Sequence, residues 1–233
     1  MPDAETACKL YAVIEAGDAA HDRLAAAFSA RLVTRGGIAV GHLDSDAADA
    51  SDFLARMKNA GAQALYYGGG APVGCALRAQ VVAALGASAP LLGGDGLAQE
   101  PDCNSAGVFA TMPLVDATSR PEAASTVRGF KAVYPRAADF GPYTLLAYDA
   151  TAIAYAAIER AITLAGGAMP TRSSLVAELA RTADFEGVTG RLGFDVAGDT
   201  TNRVISVLAA PGGDPKAPWR VAGTIDYSAR LPY

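Results

Sequence analysis

From residue 9 to residue 113 the chain alternates short apolar runs with amphipathic stretches, and nothing else in it limits the fold so tightly. KLYAVIE (9–15), IAVGHLD (38–44), ALYYGGG (64–70), APLLGGDG (89–96) and AGVFATMP (106–113) read as strands. Between them, DAAHDRLAAAFSARLVTRGG reads as a helix with Asp18 as its cap and Gly36 as its stop. SDFLARMKNAG, whose Phe53, Leu54 and Met57 share one face, and APVGCALRAQVVAALG are the next helices. Strand, helix, strand, helix implies a parallel sheet flanked by helices, an α/β fold. Right-handed crossovers bring the loops that follow the strands to one edge of that sheet, which is where ligands sit in such folds.

The second half changes character. RPEAASTVRGFKAVYP, YTLLAYDATAIAYAAIERAITLAG and TRSSLVAELARTA are three helices with no strand between them. The middle one, residues 144–164, is apolar on nearly every side, which calls for burial against a sheet or several helices. Its Asp149, Glu159 and Arg160 favour a buried helix over a membrane span. FEGVTGRLGFDVAGD (185–199), punctuated by Gly187 and Gly190, then leads back to strands: GRLGFDV, NRVISVLAA and finally WRVAGTIDY.

Composition narrows the function classes. A chain of 233 residues with 51% apolar side chains is a folded globule of one large or two small domains. Its net charge of −5 offers no basic surface for nucleic acid. The opening MPDAETACKLYAV lacks the charged start and apolar stretch of a signal peptide. Cys8, Cys75 and Cys103 have no knuckle spacing, and with His21 and His42 as the two histidines a closed metal site is not expected, nor is a cofactor. The cysteines read as small buried side chains; a Cys75–Cys103 disulfide stays open for an extracytoplasmic protein. Gly68–Gly70 misses the dinucleotide fingerprint because Val73 holds the sixth place, and the run at Gly94 and Gly96 misses it at Gln99. With no G-x-S-x-G turn, Walker Lys-Ser/Thr pair or H-E-x-x-H, catalysis is unsupported, and an enzyme on a flavodoxin-like half sheet is the lesser alternative.

LYYGGGAPVGCALRAQ, APLLGGDGL, AGVFATMP, FGPYTLLAYDA and FEGVTGRLGFDVAGD, in this order over almost the whole chain, resemble the type I solute-binding proteins of branched-chain amino acid ABC transporters. The resemblance implies a periplasmic-binding-protein-like, three-layer αβα fold with two lobes and a ligand held in the cleft between them. It makes KLYAVIE the opening strand of the second lobe, so that residues 5–118 with 203–228 form that lobe and 119–202 a mostly helical remnant of the first. A leading segment of about one small domain then stands outside the sequence. The helix 144–164 would need cover from a second copy as a homodimer, from exchanged elements, from another polypeptide, or from the intact lobe. The resemblance also implies an extracytoplasmic location, a small-molecule ligand such as an amino acid, and an ABC transporter permease as partner.

The site residues follow from the loops after Glu15, Tyr67 and Gly94. In the family an acidic residue at the position of Asp95 looks toward the ligand's ammonium group, where a carboxylate supplies charge and two acceptor oxygens. The competing reading is an aspartate in a glycine-rich turn. Many members carry Tyr-Gly where this chain has Ala20 and His21, and an aromatic where it has Gly70, followed by Ala71. With both aromatic caps replaced, Gly94 and Asp95 together with Gly70, Ala71, Ala20 and His21 outline either a site for a bulkier ligand or a degenerate interaction module. Tyr66, Tyr67, Tyr143 and Tyr148 read as strand or core residues first.

Overall fold

The computed structural model describes residues 10–15, 19–44, 49–98, 105–113, 120–136, 140–141, 143–212 and 219–228; of Glu15, Ala19, Ala20, His21 and Ala71 it describes the backbone alone. The expected alternation forms in order: β1 (Leu10–Glu15), α1 (Ala19–Thr34), β2 (Ile38–Asp44), α2 (Ser51–Asn59), β3 (Ala64–Tyr67), α3 (Ala71–Leu85), β4 (Leu91–Gly93), a 3-10 turn (Asp95–Ala98) and β5 (Val108–Met112). The proposed cap Asp18 lies outside the described residues. At the other end of α1, Gly36 takes φ +77° and the Gly37 N–H returns to the Leu32 carbonyl at 3.0 Å, so a glycine in the left-handed region closes the helix.

The sheet order is β2-β1-β3-β4-β5-β8-β9, where β8 is Val204–Ala209 and β9 is Arg220–Asp226. β1 pairs in parallel with both β2 and β3, and β3–β4 and β4–β5 are parallel as well. Between β1 and β3 the chain reverses its direction of travel across the sheet, which opens a crevice beyond their carboxyl ends. Alternating residues sort the core into two faces. Ala12, Ile14, Leu65, Tyr67 and Leu91 join Phe53 and Leu54 of α2 and Leu77 and Val81 of α3 on one side. Val13, Tyr66 and Leu92 join Ala25 and Phe28 of α1 on the other. Right-handed crossovers in opposite directions require this split of the helices.

Arg78 ties the amino end of this sheet. It is buried, and its guanidinium donates to the carbonyls of Ala89 at 2.6 Å, Ala106 at 2.9 Å and Ala87 at 3.2 Å. Burial lowers its pKa, yet three acceptors meet the charge, so the entries to β4 and β5 are pinned to α3.

Two compact units result, Met1–Met112 with Val207–Gly223, and Pro113–Ser206 with Thr224–Tyr233. The second contains α4 (Pro121–Val133), α5 (Thr144–Leu164), α6 (Arg172–Ala180) and the antiparallel hairpin β6 (Phe185–Gly187) and β7 (Gly190–Leu192). The expected strand GRLGFDV is shorter than its sequence suggests: it ends at Leu192, and Phe194 makes an isolated bridge to Thr200. The reason is a tight turn in which the Asp195 carboxylate accepts the Ala197 and Asp199 N–H groups, both at 2.9 Å, and pairs with Arg203.

α5 is apolar all round in sequence but not buried all round. Leu145, Asp149, Ile153, Ala157 and Ala161, spaced four apart, form the buried stripe, whereas Tyr148 and Tyr155 are 50% and 65% exposed. Leu146 and Ile158 are half-buried. Toward its end the helix is fastened to α6 through Arg160, which meets the buried Glu178 carboxylate at 3.4 Å and donates to the Glu178 carbonyl at 2.9 Å. Among the described residues no helix is long and apolar enough to cross a membrane.

Candidate functional site

The carboxyl ends of β3 and β4 are packed backbone to backbone, and glycine makes this possible. A Cβ on Gly96 would lie 3.1 Å from both the Gly69 carbonyl oxygen and the Gly70 Cα; one on Gly93 would lie 2.7 Å from the Tyr67 carbonyl oxygen. Gly68 and Gly69 are buried, and Gly70 caps α3 with extended backbone, its carbonyl accepting the Gly74 N–H at 3.1 Å. Asp95, half-buried, opens the 3-10 turn beside them. Gly70, Gly94 and Asp95 therefore stand together at the crevice edge, with Ala71 as the first residue of α3.

α1 completes this edge from the other face. Leu24 reaches over the strand end, so that a Cβ on Gly94 would meet its Cδ2 at 2.6 Å. Ala20 and His21 lie in the first turn of α1, one turn before Leu24. Four residues after Leu24, Phe28 stacks on Tyr66 with centroids 3.9 Å apart and planes 9° from parallel, and Tyr11 meets Phe28 edge-on at 5.4 Å. Burial, together with the nearby negative charge of Asp95, pushes the Tyr66 phenol up to about 12. A protonated phenol and a carboxylate thus share one end of the sheet. That pair offers an acceptor for a cation or an N–H donor and an aromatic bed behind it. Among the described residues no cluster of His, Cys, Asp and Glu could hold a metal ion. Cys75 in α3 is disulfide-bonded; Cys8 and Cys103 lie outside the described residues.

The motifs of the second half serve packing. The Asp149 carboxylate, 2% exposed, accepts the Val188 N–H at 2.9 Å, the Thr189 N–H at 2.8 Å and the Thr189 hydroxyl at 2.6 Å. A Cβ on Gly187 would lie 2.5 Å from its Oδ2, so glycine is what lets the β6–β7 turn approach α5. YDA and FEGVTG are two halves of one latch. Two apolar grooves flank α5: one of about 590 Å³ against α4, lined by Phe130, Thr144, Ala147, Tyr148, Thr151 and Tyr155, and one of about 240 Å³ that includes Leu146, Ile153, Leu192, Phe194 and Val204. The larger groove has no charged residue in its described lining, which suits a packing surface better than a polar solute. The contacts of Leu24 with Gly94 and of Phe28 with Tyr66 are not marked by any motif in the sequence. The spacing of Leu24 and Phe28 on one helical face was the available signal.

Comparisons with known proteins agree with this fold. The family described as "Periplasmic binding protein" matches residues 3–213. Leu/Ile/Val-binding protein homolog 3 of Brucella melitensis biotype 1 is 32% identical over 201 residues, covering 83% of this chain and 52% of the relative. The leucine binding protein LivK of Thermotoga maritima superposes with a TM-score of 0.75 at 22% identity over 94% of this chain and 61% of its own. An ABC transporter solute binding protein of R. palustris, in complex with 4-hydroxybenzoate, gives 0.76 at 16% identity over 95% and 61%. The chain thus spans about half the length of the curated relative and about three-fifths of the solved ones. Fold, motif order and sequence identity converge: the chain belongs to the periplasmic binding protein family.

Proposed function

We propose that this chain is a non-catalytic solute-binding component of an ABC-type uptake or sensing system, and that it receives an amino acid or related small molecule at the carboxyl edge of its parallel sheet. The observation that carries this reading is the gathering of Asp95, Gly70 and Gly94 beside Tyr66. Asp95 takes the ligand's ammonium group as a charge-assisted acceptor. Glycine at 70 leaves room for the ligand's body. The names of the relatives, which include leucine, isoleucine and 4-hydroxybenzoate binders, support a small carboxylate-bearing solute. The unit built on β1–β5 corresponds to the family's second lobe and the α4–α6 unit to a remnant of its first. A disulfide at Cys75 agrees with an extracytoplasmic location, where such bonds persist. The transporter permease is the partner, and the exposed flank of α5 is covered by a second copy or by exchanged elements.

Calorimetric titration of the chain with L-leucine, L-isoleucine, L-valine and 4-hydroxybenzoate tests this reading. Heat of binding that Asp95→Asn removes supports it; no heat with any of the four overturns it. That second result would favour an interaction module, for which the exposed Tyr148 and Tyr155 and the missing aromatic caps speak.

A further inference from the structure

The arginines drawn into this fold are met by acceptors: Arg78 by three carbonyls, Arg203 by Asp195, Arg160 by Glu178. Arg120, the residue before α4, is the exception. Its Nε is buried with no hydrogen-bond partner, and its one ion pair among the described residues, with Glu122, spans 3.7 Å, beyond hydrogen-bond reach. A guanidinium keeps its charge and carries five N–H donors, so drawing it partly out of water without an acceptor is unfavourable. The side chain is nonetheless 35% exposed, and it lines a polar pocket of about 360 Å³ built within the second unit.

Gly190 lets two donors converge in that pocket. It takes φ +125°, and a Cβ there would lie 3.3 Å from Asn202 Nδ2 and 3.4 Å from Arg120 Nη1. The amide and the guanidinium therefore meet over bare backbone at the start of β7. The bond that Asn202 Nδ2 gives to the Thr189 carbonyl is long, at 3.4 Å. Charge limits what these donors can take. Arg191 lines the same pocket but is engaged by Asp184 at 3.1 Å and Glu186 at 3.5 Å. Asp184 and Asp226 also stand on the lining, Asp226 accepting the Ser228 N–H at 2.8 Å. One cation among carboxylates suits a singly charged anion and repels a doubly charged one.

We propose that Arg120 and Asn202 form a binding site for a small monocarboxylate, the guanidinium meeting the carboxylate as a charge-assisted donor and the amide completing the shell. The ligand needs no ammonium group. None of the lining residues comes from the unit that carries Asp95, so this site stands or falls apart from the solute reading above.

Saturation-transfer NMR with propionate tests it on the full chain, with inorganic phosphate as competitor at constant ionic strength. Wild type is compared with Arg120→Gln, Arg120→Lys and Arg172→Gln, the last at the exposed first residue of α6, each checked for an unchanged thermal transition. Wild type binds propionate, and Arg120→Gln weakens binding about tenfold or more, the scale of one lost hydrogen bond to a charged group. Arg120→Lys, which keeps the charge without the planar fork, falls between them, and Arg172→Gln matches wild type. Propionate also slows hydrogen exchange in wild type at residues 189–191 and 201–203, a result that needs no variant to fold. The site is overturned if wild type binds no propionate, if Arg120→Gln binds it equally well, or if Arg172→Gln loses as much. Displacement by phosphate at lower concentration than propionate overturns the monocarboxylate class. Slowing confined to Gly68–Gly70 and Gly94–Ala98 would put the carboxylate at the sheet edge, overturning this site and leaving the solute reading intact.

Discussion

The two units of this chain reach stability in different ways. In the β1–β5 unit, the strands place alternate residues on two closed apolar faces, with Ile14, Leu65, Tyr67 and Leu91 at 2% exposure or less. In the α4–α6 unit the compact apolar cluster is small, centred on Ala123 and Leu145, and cohesion comes from polar locks: Asp149 on the β6–β7 turn, Glu178 between Arg160 and Arg181, Asp195 on Arg203. A sheet with helices on both sides can bury its own apolar surface. In the unit of three helices and a hairpin, Tyr148, Tyr155 and Leu164 are exposed. The difference shows which unit closes an apolar core around its strands and which leaves large apolar side chains at its surface.

That contrast can be broken by mutation. Leu91→Ala, in the closed core, should cost about 4 kcal/mol by denaturant unfolding, since a large-to-small change there leaves a cavity. Asp149→Ala should cost on the order of 3 kcal/mol, because the Val188 and Thr189 donors lose a buried acceptor. Its effect should appear as faster hydrogen exchange in β6 and β7, with β3 unchanged. Tyr148→Ser combined with Tyr155→Ser should change stability by less than about 0.5 kcal/mol per site, yet lower the mass of any assembly seen by light scattering. An unaltered mass would mean that the α5 flank is not the assembling surface.

Acid and alkali sharpen the same comparison. Burial alone would raise the Asp195 pKa, but the amides of Asp199 and Ala197 and the Arg203 guanidinium outweigh it and hold the carboxyl below its ordinary value. A depressed folded pKa means the contribution is complete above the unfolded value of about 3.9 and is lost as pH falls through the folded one. Asp195→Asn should therefore flatten the acid limb of a stability profile. Tyr66 behaves oppositely, its folded value of about 12 lying above the ordinary 10.0. Its contribution is complete below about 10 and is lost as pH rises through 12, which ultraviolet titration of the phenolate follows. Phe28→Ala, which opens the stacked face to water, should move that titration down.

Most of the sheet was legible because periods of two and 3.6 residues dominate it, and because glycines such as Gly36 mark where helices stop. The polar residues of α5 were harder to read. Asp149 and Arg160 look like interruptions of an apolar helix, and only their partners, Thr189 and Glu178, reveal them as locks. Forty residues separate Asp149 from Thr189, so no local pattern reports the pairing. The site divides the same way. Asp95 is marked as a candidate by the resemblance and by its loop after a strand, whereas the packing of Leu24 on Gly94 leaves no mark in the sequence.

Hydrogen-exchange mass spectrometry with and without L-leucine tests the central assignment most directly. Ligand should slow exchange at Gly68–Gly70 and Gly94–Ala98, with the early turns of α1 following and the α4–α5 groove unchanged. Slowing confined to α4 and α5, or none anywhere, would contradict the assignment of the solute site to the sheet edge.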